Sequence, residues 1–196
     1  MPRTGRSVKD DGVYHVLNRG HDRHKLFSSV QDFREFKAIM ARYKKRFEFD
    51  LYHYCLMPNH FHLLLRIRRG SDLKFLMKGI SQSYSFHYKR CYKLSGYLFQ
   101  NRYKNIPITK DAYLMECGRY IERNPVRAGI VDNPGAYHWS SYLFYVKGKV
   151  DGIITPDPLF LELSSIEQER RAKYSEYVAT SRPYEELLDE KISELK

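Results

Sequence analysis

The order of periodic segments along this 196-residue chain predicts an α+β fold. Its expected form is a ferredoxin-like core with a central antiparallel sheet, helices on one face and a C-terminal helical extension. Three observations predict it. Extended runs rich in β-branched, aromatic and aliphatic residues cover residues 13–18, 49–56 and 60–67. Apolar residues recur at helical spacing over 33–47 and 73–92. The segments follow one another as strand, helix, strand, strand, helix, strand, helix, which is the split βαβ order of that architecture.

Each element has its own signal. Val13-Tyr-His-Val-Leu-Asn18 reads as a first strand that ends at Arg19-Gly20. After a polar loop, Phe33, Phe36, Ile39, Met40, Tyr43 and Phe47 mark a helix with Asp32 near its start. Residues 49–56 form a second strand, and the turn Met57-Pro58-Asn59 leads into a third over 60–67. Asp72 opens a second helix through Leu73, Leu76, Met77 and Ile80, continued by Tyr84 to Tyr92. Residues 96–107 read as a short extended segment or strand. A third helix spans 112–123, and Asn124-Pro125 is expected to end it because proline restricts the residue before it. Prolines and glycines from Pro134 to Pro156 punctuate a looser region. A charged helix is expected from Ile166 to Val178, and a short one over the final residues.

Charge divides the chain. Residues 1–150 carry 28 basic and 12 acidic residues, a net +16, whereas 151–196 carry a net −5. We therefore separate a basic body, 1–150, from an acidic, mostly helical extension, 151–196, whose role is open. A body this basic predicts a polyanion partner. Aromatic and basic residues interleave in Tyr84 to Lys93 and in Asn101 to Lys104. That pattern suits stacked bases and neighbouring phosphates, in single strands or hairpin loops. It equally suits an amphipathic helix with snorkelling lysines. Cys55, Cys91 and Cys117 have neither disulfide nor zinc-knuckle spacing and fit reduced thiols. No run is long and apolar enough for a membrane span, and no apolar signal segment follows Met1. A cytoplasmic protein without a membrane partner is the expectation.

The chemistry starts at His60-Phe61-His62. Side chains alternate faces along a strand, so both imidazoles point one way while Phe61, Leu63, Leu65 and Ile67 enter a core. Two imidazoles on a rigid strand can hold one divalent ion if other ligands complete its shell. Zinc or manganese would suit them, and magnesium if phosphate oxygens join. On the third helix, Tyr120 and Asn124 lie one turn apart on one face. The Asn oxygen can ligate a hard cation, and the tyrosine can reach a phosphate held there. Tyr113, two turns earlier, is an equal candidate on spacing alone.

Four blocks occur in order: Tyr14-His15-Val16-Leu17-Asn18-Arg19-Gly20, Met57-Pro58-Asn59-His60-Phe61-His62, Phe99-Gln-Asn-Arg-Tyr-Lys104 and Tyr120-Ile-Glu-Arg-Asn-Pro-Val126. Together they resemble the REP-associated tyrosine transposases, a branch of the single-tyrosine HUH transposases of small insertion sequences. The resemblance covers residues 10–145. It implies a ferredoxin-like core and a metal, Mg2+ or Mn2+, held by His60, His62 and Asn124. It also implies Tyr120 as the nucleophile, with single-stranded or hairpin DNA as the partner of a monomer or homodimer. The expected activity is cleavage and rejoining of that DNA through a 5′-phosphotyrosine. Deprotonation of Tyr120 would be favoured by the metal or by a cation such as Arg123. Candidate DNA contacts are Arg19, Arg66, Arg68, Arg69, Arg102 and Lys104. Two other classes fit the same composition: a domesticated hairpin-binding protein that does not cleave, and an RNA-processing protein of the same fold.

Overall fold

In a computed structural model of the chain, residues 8–180, 186 and 188–190 are described. Four strands, β1 (Gly12–Arg19), β2 (Phe49–Met57), β3 (His60–Ile67) and β4 (Lys104–Ile108), form one sheet in the order β2-β3-β1-β4. Every neighbouring pair is antiparallel. β1 and β2 are joined through helix α1 (Val30–Arg46), with β3 inserted between them. This is the split βαβ arrangement, and the fold is α+β with a ferredoxin-like core.

Helix α1 begins at a capping box. Asp32 N–H donates to the Ser29 hydroxyl, and the Asp32 carboxylate accepts from the Ser29 N–H. Such a cap contributes about 1 kcal/mol. Helix α2 (Asp72–Tyr92) packs beside α1, and both lie on one face of the sheet, as expected. Phe36, Ile39, Leu76, Ile80 and Tyr84 meet Phe61, Leu63 and Leu65 there. On α2 the aromatic-basic pattern is that of an amphipathic helix. Tyr84 and Tyr88 are buried, whereas Phe86 stands exposed.

The third helix, α3 (Asp111–Arg127), lies on the other face of the sheet and covers the side to which His60 and His62 point. It does not stop before Pro125. The proline forgoes its own backbone bond, but the last turn closes by Ala128 N–H to the Asn124 carbonyl and Ile130 N–H to the Pro125 carbonyl. Asn124 therefore stands inside the helix rather than at its frayed end.

A bulge in β2 between Leu51 and His53 turns two successive residues, Tyr52 and His53, toward α3. His53 hydrogen-bonds Glu122 of α3 at 2.9 Å and Asp157 at 3.0 Å, with all three fully buried. Burial alone would lower the His53 pKa. Its bonds to Asp157 and Glu122 outweigh that and raise it to about 9. Glu122 also accepts from Ser141 and Tyr174. A Cβ at Gly118 would sit 2.8 Å from the His53 ring, so only glycine permits this approach. The network pins α3 to the sheet and thereby fixes the height of Tyr120 and Asn124.

The segment after residue 130, expected to be loose, contains two short helices, α4 (Tyr142–Lys147) and α5 (Pro158–Glu162), before α6 (Glu167–Ala179). Proline and glycine signals hid them because each is less than two turns long. Over its described residues the acidic extension is mostly helical and packs on the basic body. Ile153, Ile154, Phe160, Tyr174 and Val178 fill the same core as α1 and α2. Of the short helix expected over the final residues, positions 186 and 188–190 are described and helical, and the rest lies outside the described residues.

Candidate active site

Register builds the site. Pairing sets Arg19 of β1 opposite His60, and Leu17 opposite both His62 and Lys104. Cys55 and Met57 of β2 flank the two histidines on the other side. His15 stands on the same face of β1, diagonal to His62. α3 lays Tyr120 over this row. The Tyr120 ring meets His62 edge-on at 5.8 Å and His15 at 5.9 Å. Tyr113, its rival by spacing, is half-buried at the start of α3 with Lys110 5.8 Å from its ring centre.

The histidines suit metal ligation. Burial, helped by the Arg19 charge, lowers the His60 pKa to about 4. Burial, then the neighbouring His60, His15 and Arg127, hold His62 well below the usual imidazole range. Both rings are therefore neutral at pH 7. The His60 and His62 rings lie 5.0 Å apart. His60 Nδ1 donates to the Asn59 side-chain oxygen at 2.7 Å, which leaves its Nε2 lone pair for a cation. The Asn124 side-chain nitrogen donates to the Tyr120 carbonyl at 2.9 Å, so its oxygen is the atom left for ligation. Among the described residues, no group of three or more His, Cys, Asp or Glu side chains could hold a metal ion. A cation here would need two imidazoles, one carboxamide and oxygens from substrate or water. That donor set fits Mg2+ or Mn2+.

Three participants were not legible in the sequence. Arg127 lies seven residues after Tyr120, two turns along the same helix face, with its guanidinium 5.0 Å from the Tyr120 ring centre. Asp189, from the acidic extension, accepts a 2.9 Å hydrogen bond from the Tyr120 hydroxyl and pairs with Arg127. Leu188 beside it is buried against the α3 cluster. Burial, then Asp189, pushes the Tyr120 pKa well up, and Arg127 pulls against them. Arg123, expected beside Tyr120, instead donates to the carbonyls of Val178 and Ala179 on α6. The third participant, His15, was visible only as one polar residue in an apolar strand.

The arginines expected to contact DNA fall into two groups. Arg19 and Lys104 share the histidine face, and the exposed Arg102 is two residues before β4. It lines a cleft of about 720 Å³ with Asn18, Lys74, Phe99, Asn101 and Tyr103. Arg66, Arg68 and Arg69 stand at or beyond the far end of β3. Arg68 is six residues from His62, about 20 Å at strand rise. Arg66 is paired with Asp11, and Arg68 with Asp11 and Asp50.

Residues 9–124 match the model of the IS200-like transposases. Among solved structures, the chain is similar to a REP-associated tyrosine transposase bound to a REP hairpin. The identity is 18%, the TM-score is 0.65, and the match covers 80% of this chain and 93% of that one. A putative transposase from Deinococcus radiodurans is matched at 20% identity with a TM-score of 0.42, over 62% of this chain and 96% of that one. No curated protein matches the chain.

Proposed function

From the premise that the chain belongs to the IS200-like transposases, we propose that it cleaves and rejoins hairpin-bearing single-stranded DNA through a 5′-phosphotyrosine at Tyr120. One observation carries this reading. A buried tyrosine is packed edge-on against His62, one of two neighbouring neutral, cation-ready histidines, with an acidic group on its hydroxyl where a phosphate would bind. Catalysis is assigned to residues 1–150, and control of access to Tyr120 to residues 151–196. Among the described residues no helix is long and apolar enough to cross a membrane, and the proposed substrate puts the work in the cytoplasm.

His60, His62 and Asn124 would hold the divalent ion, Mg2+ or Mn2+. When bound, it polarises the scissile phosphate and offsets charge that develops there. Tyr120 Oη attacks the phosphorus. The Oη–P bond forms as the bond to the 3′ oxygen breaks; the phenol loses its proton and the departing oxygen gains one. Arg127 above the ring favours the phenolate. Because the new linkage keeps the phosphodiester energy, the 3′-hydroxyl of another strand can reverse the step and join. No nucleotide cofactor is then needed.

Asp189 must leave before a phosphate can enter, since two anions cannot share the Tyr120–Arg127 site. Asp189→Ala should therefore raise the initial rate of adduct formation several-fold and tighten hairpin binding at low salt. An unchanged rate would show that Asp189 does not guard the nucleophile. Deleting everything after residue 150 is no substitute for this test, because it would also remove Tyr174 and Val178 from the core.

DNA is proposed to run from the Arg19–Lys104 edge into the cleft beside Arg102, where the partly buried Phe99 can stack a base. Arg102→Ala should lower the salt slope of hairpin binding by about 1. Arg68→Ala should leave it nearly unchanged, because Arg68 is paired with two aspartates far from the histidines. The reverse ranking in a salt titration would place the DNA at the other end of the sheet.

A further inference from the structure

The proposed mechanism leaves the fully buried His15 unused. Its Nε2 lies 2.8 Å from His62 Nδ1, and the two rings stack with centres 5.0 Å apart. Its other nitrogen, Nδ1, is buried without a hydrogen-bond partner. An apolar residue would fill this place in β1 and leave no polar atom orphaned. What distinguishes histidine here is the bond to His62.

That bond holds one proton, and its position decides what His62 can do. If His15 Nε2 carries the proton, neutral His62 keeps its own proton on Nε2 and has no lone pair there for a cation. If His62 Nδ1 carries it, His62 Nε2 is free. His60 already has the second arrangement, because the Asn59 oxygen can only accept. Two ligands that present matching Nε2 atoms need His15 to be the acceptor.

We propose that His15 is a positioning residue of the metal centre: it accepts His62 Nδ1–H and holds His62 in the tautomer that offers Nε2 to the ion. This rests on the reading of His60 and His62 as ligands. Outer partners of this kind fix both ring orientation and tautomer in metal sites.

The test needs no turnover. Long-range proton–nitrogen NMR of ¹⁵N-histidine-labelled, metal-free protein reads the tautomer of His62. The wild type should show Nδ1–H. In His15→Leu, an apolar replacement without an acceptor, His62 should move to the Nε2–H form usual for a free imidazole. Mn2+ affinity in isothermal titration should fall by about 10–100-fold. His15→Gln carries a side-chain carbonyl and should restore both the tautomer and most of the affinity. Nε2–H on His62 in the wild type would overturn the proposal. So would a folded His15→Leu protein that takes up Mn2+ like the wild type. If the wild type takes up no Mn2+, the ligand reading alone fails, and the metal-free tautomer still decides for or against His15.

Discussion

Tyr120→Phe should abolish cleavage, a loss on the order of 10⁴-fold or more, because the attacking oxygen is gone. The variant should still fold and bind hairpin DNA. A phenylalanine ring keeps the edge contacts to His15 and His62 and the place under Arg127. What it loses, besides the nucleophile, is the hydroxyl's hydrogen bond to Asp189 and its polar interaction with Arg127. Tyr113→Phe should cleave like the wild type, since Tyr113 sits near Lys110, away from the histidine row. Single-turnover assays of the two variants side by side decide the matter. Adduct formation by Tyr120→Phe, and none by Tyr113→Phe, would reverse the assignment.

Loss of either histidine should be nearly as severe. His60→Ala or His62→Ala removes one of two imidazoles from a set with few protein donors, and activity should fall by more than about 100-fold at fixed Mn2+. Excess chelator should do the same to the wild type. The two variants should differ in stability. His60 is only half-buried and bonds to its neighbour Asn59, so its loss should cost little. His62 is buried and holds His15, so His62→Ala leaves His15 Nε2 without its partner. Thermal melts should rank them in that order. Full cleavage in excess chelator would rule out the metal.

The sheet was readable because strand parity is strict. A period of two puts His60 and His62 on one face and Phe61, Leu63 and Leu65 in the core. Helices α1 and α2 were readable for the same kind of reason, an apolar face repeated over several turns. The end of α3 was misjudged at Pro125, because a proline's local penalty is smaller than the packing that holds the helix along its length. What periodicity cannot carry is distance between separate elements. Nothing in the order of residues says that Asp189 returns to Tyr120, or that Arg123 turns to α6 while Arg127 turns to the ring. The buried pairing of His53 with Glu122 and Asp157 joins residues 69 and 104 positions apart. The sequence showed Glu122 only as one more charge on a helix. A cluster of charge such as Arg66, Arg68 and Arg69 likewise does not reveal which members are already paired with carboxylates, as Arg66 and Arg68 are.

Isolation of a covalent protein–DNA adduct is the most direct test of the central claim. Wild-type protein, Mn2+ and a hairpin flanked by single strands are mixed, denatured and digested, and the DNA-bearing peptide is mapped by mass spectrometry. The account predicts a 5′-phosphate ester on Tyr120 and a free 3′-hydroxyl on the released strand. Tight, salt-sensitive hairpin binding with no adduct at all would instead mark the chain as a binding protein. An adduct on any other residue, or a 3′-linked one, would contradict the mechanism outright.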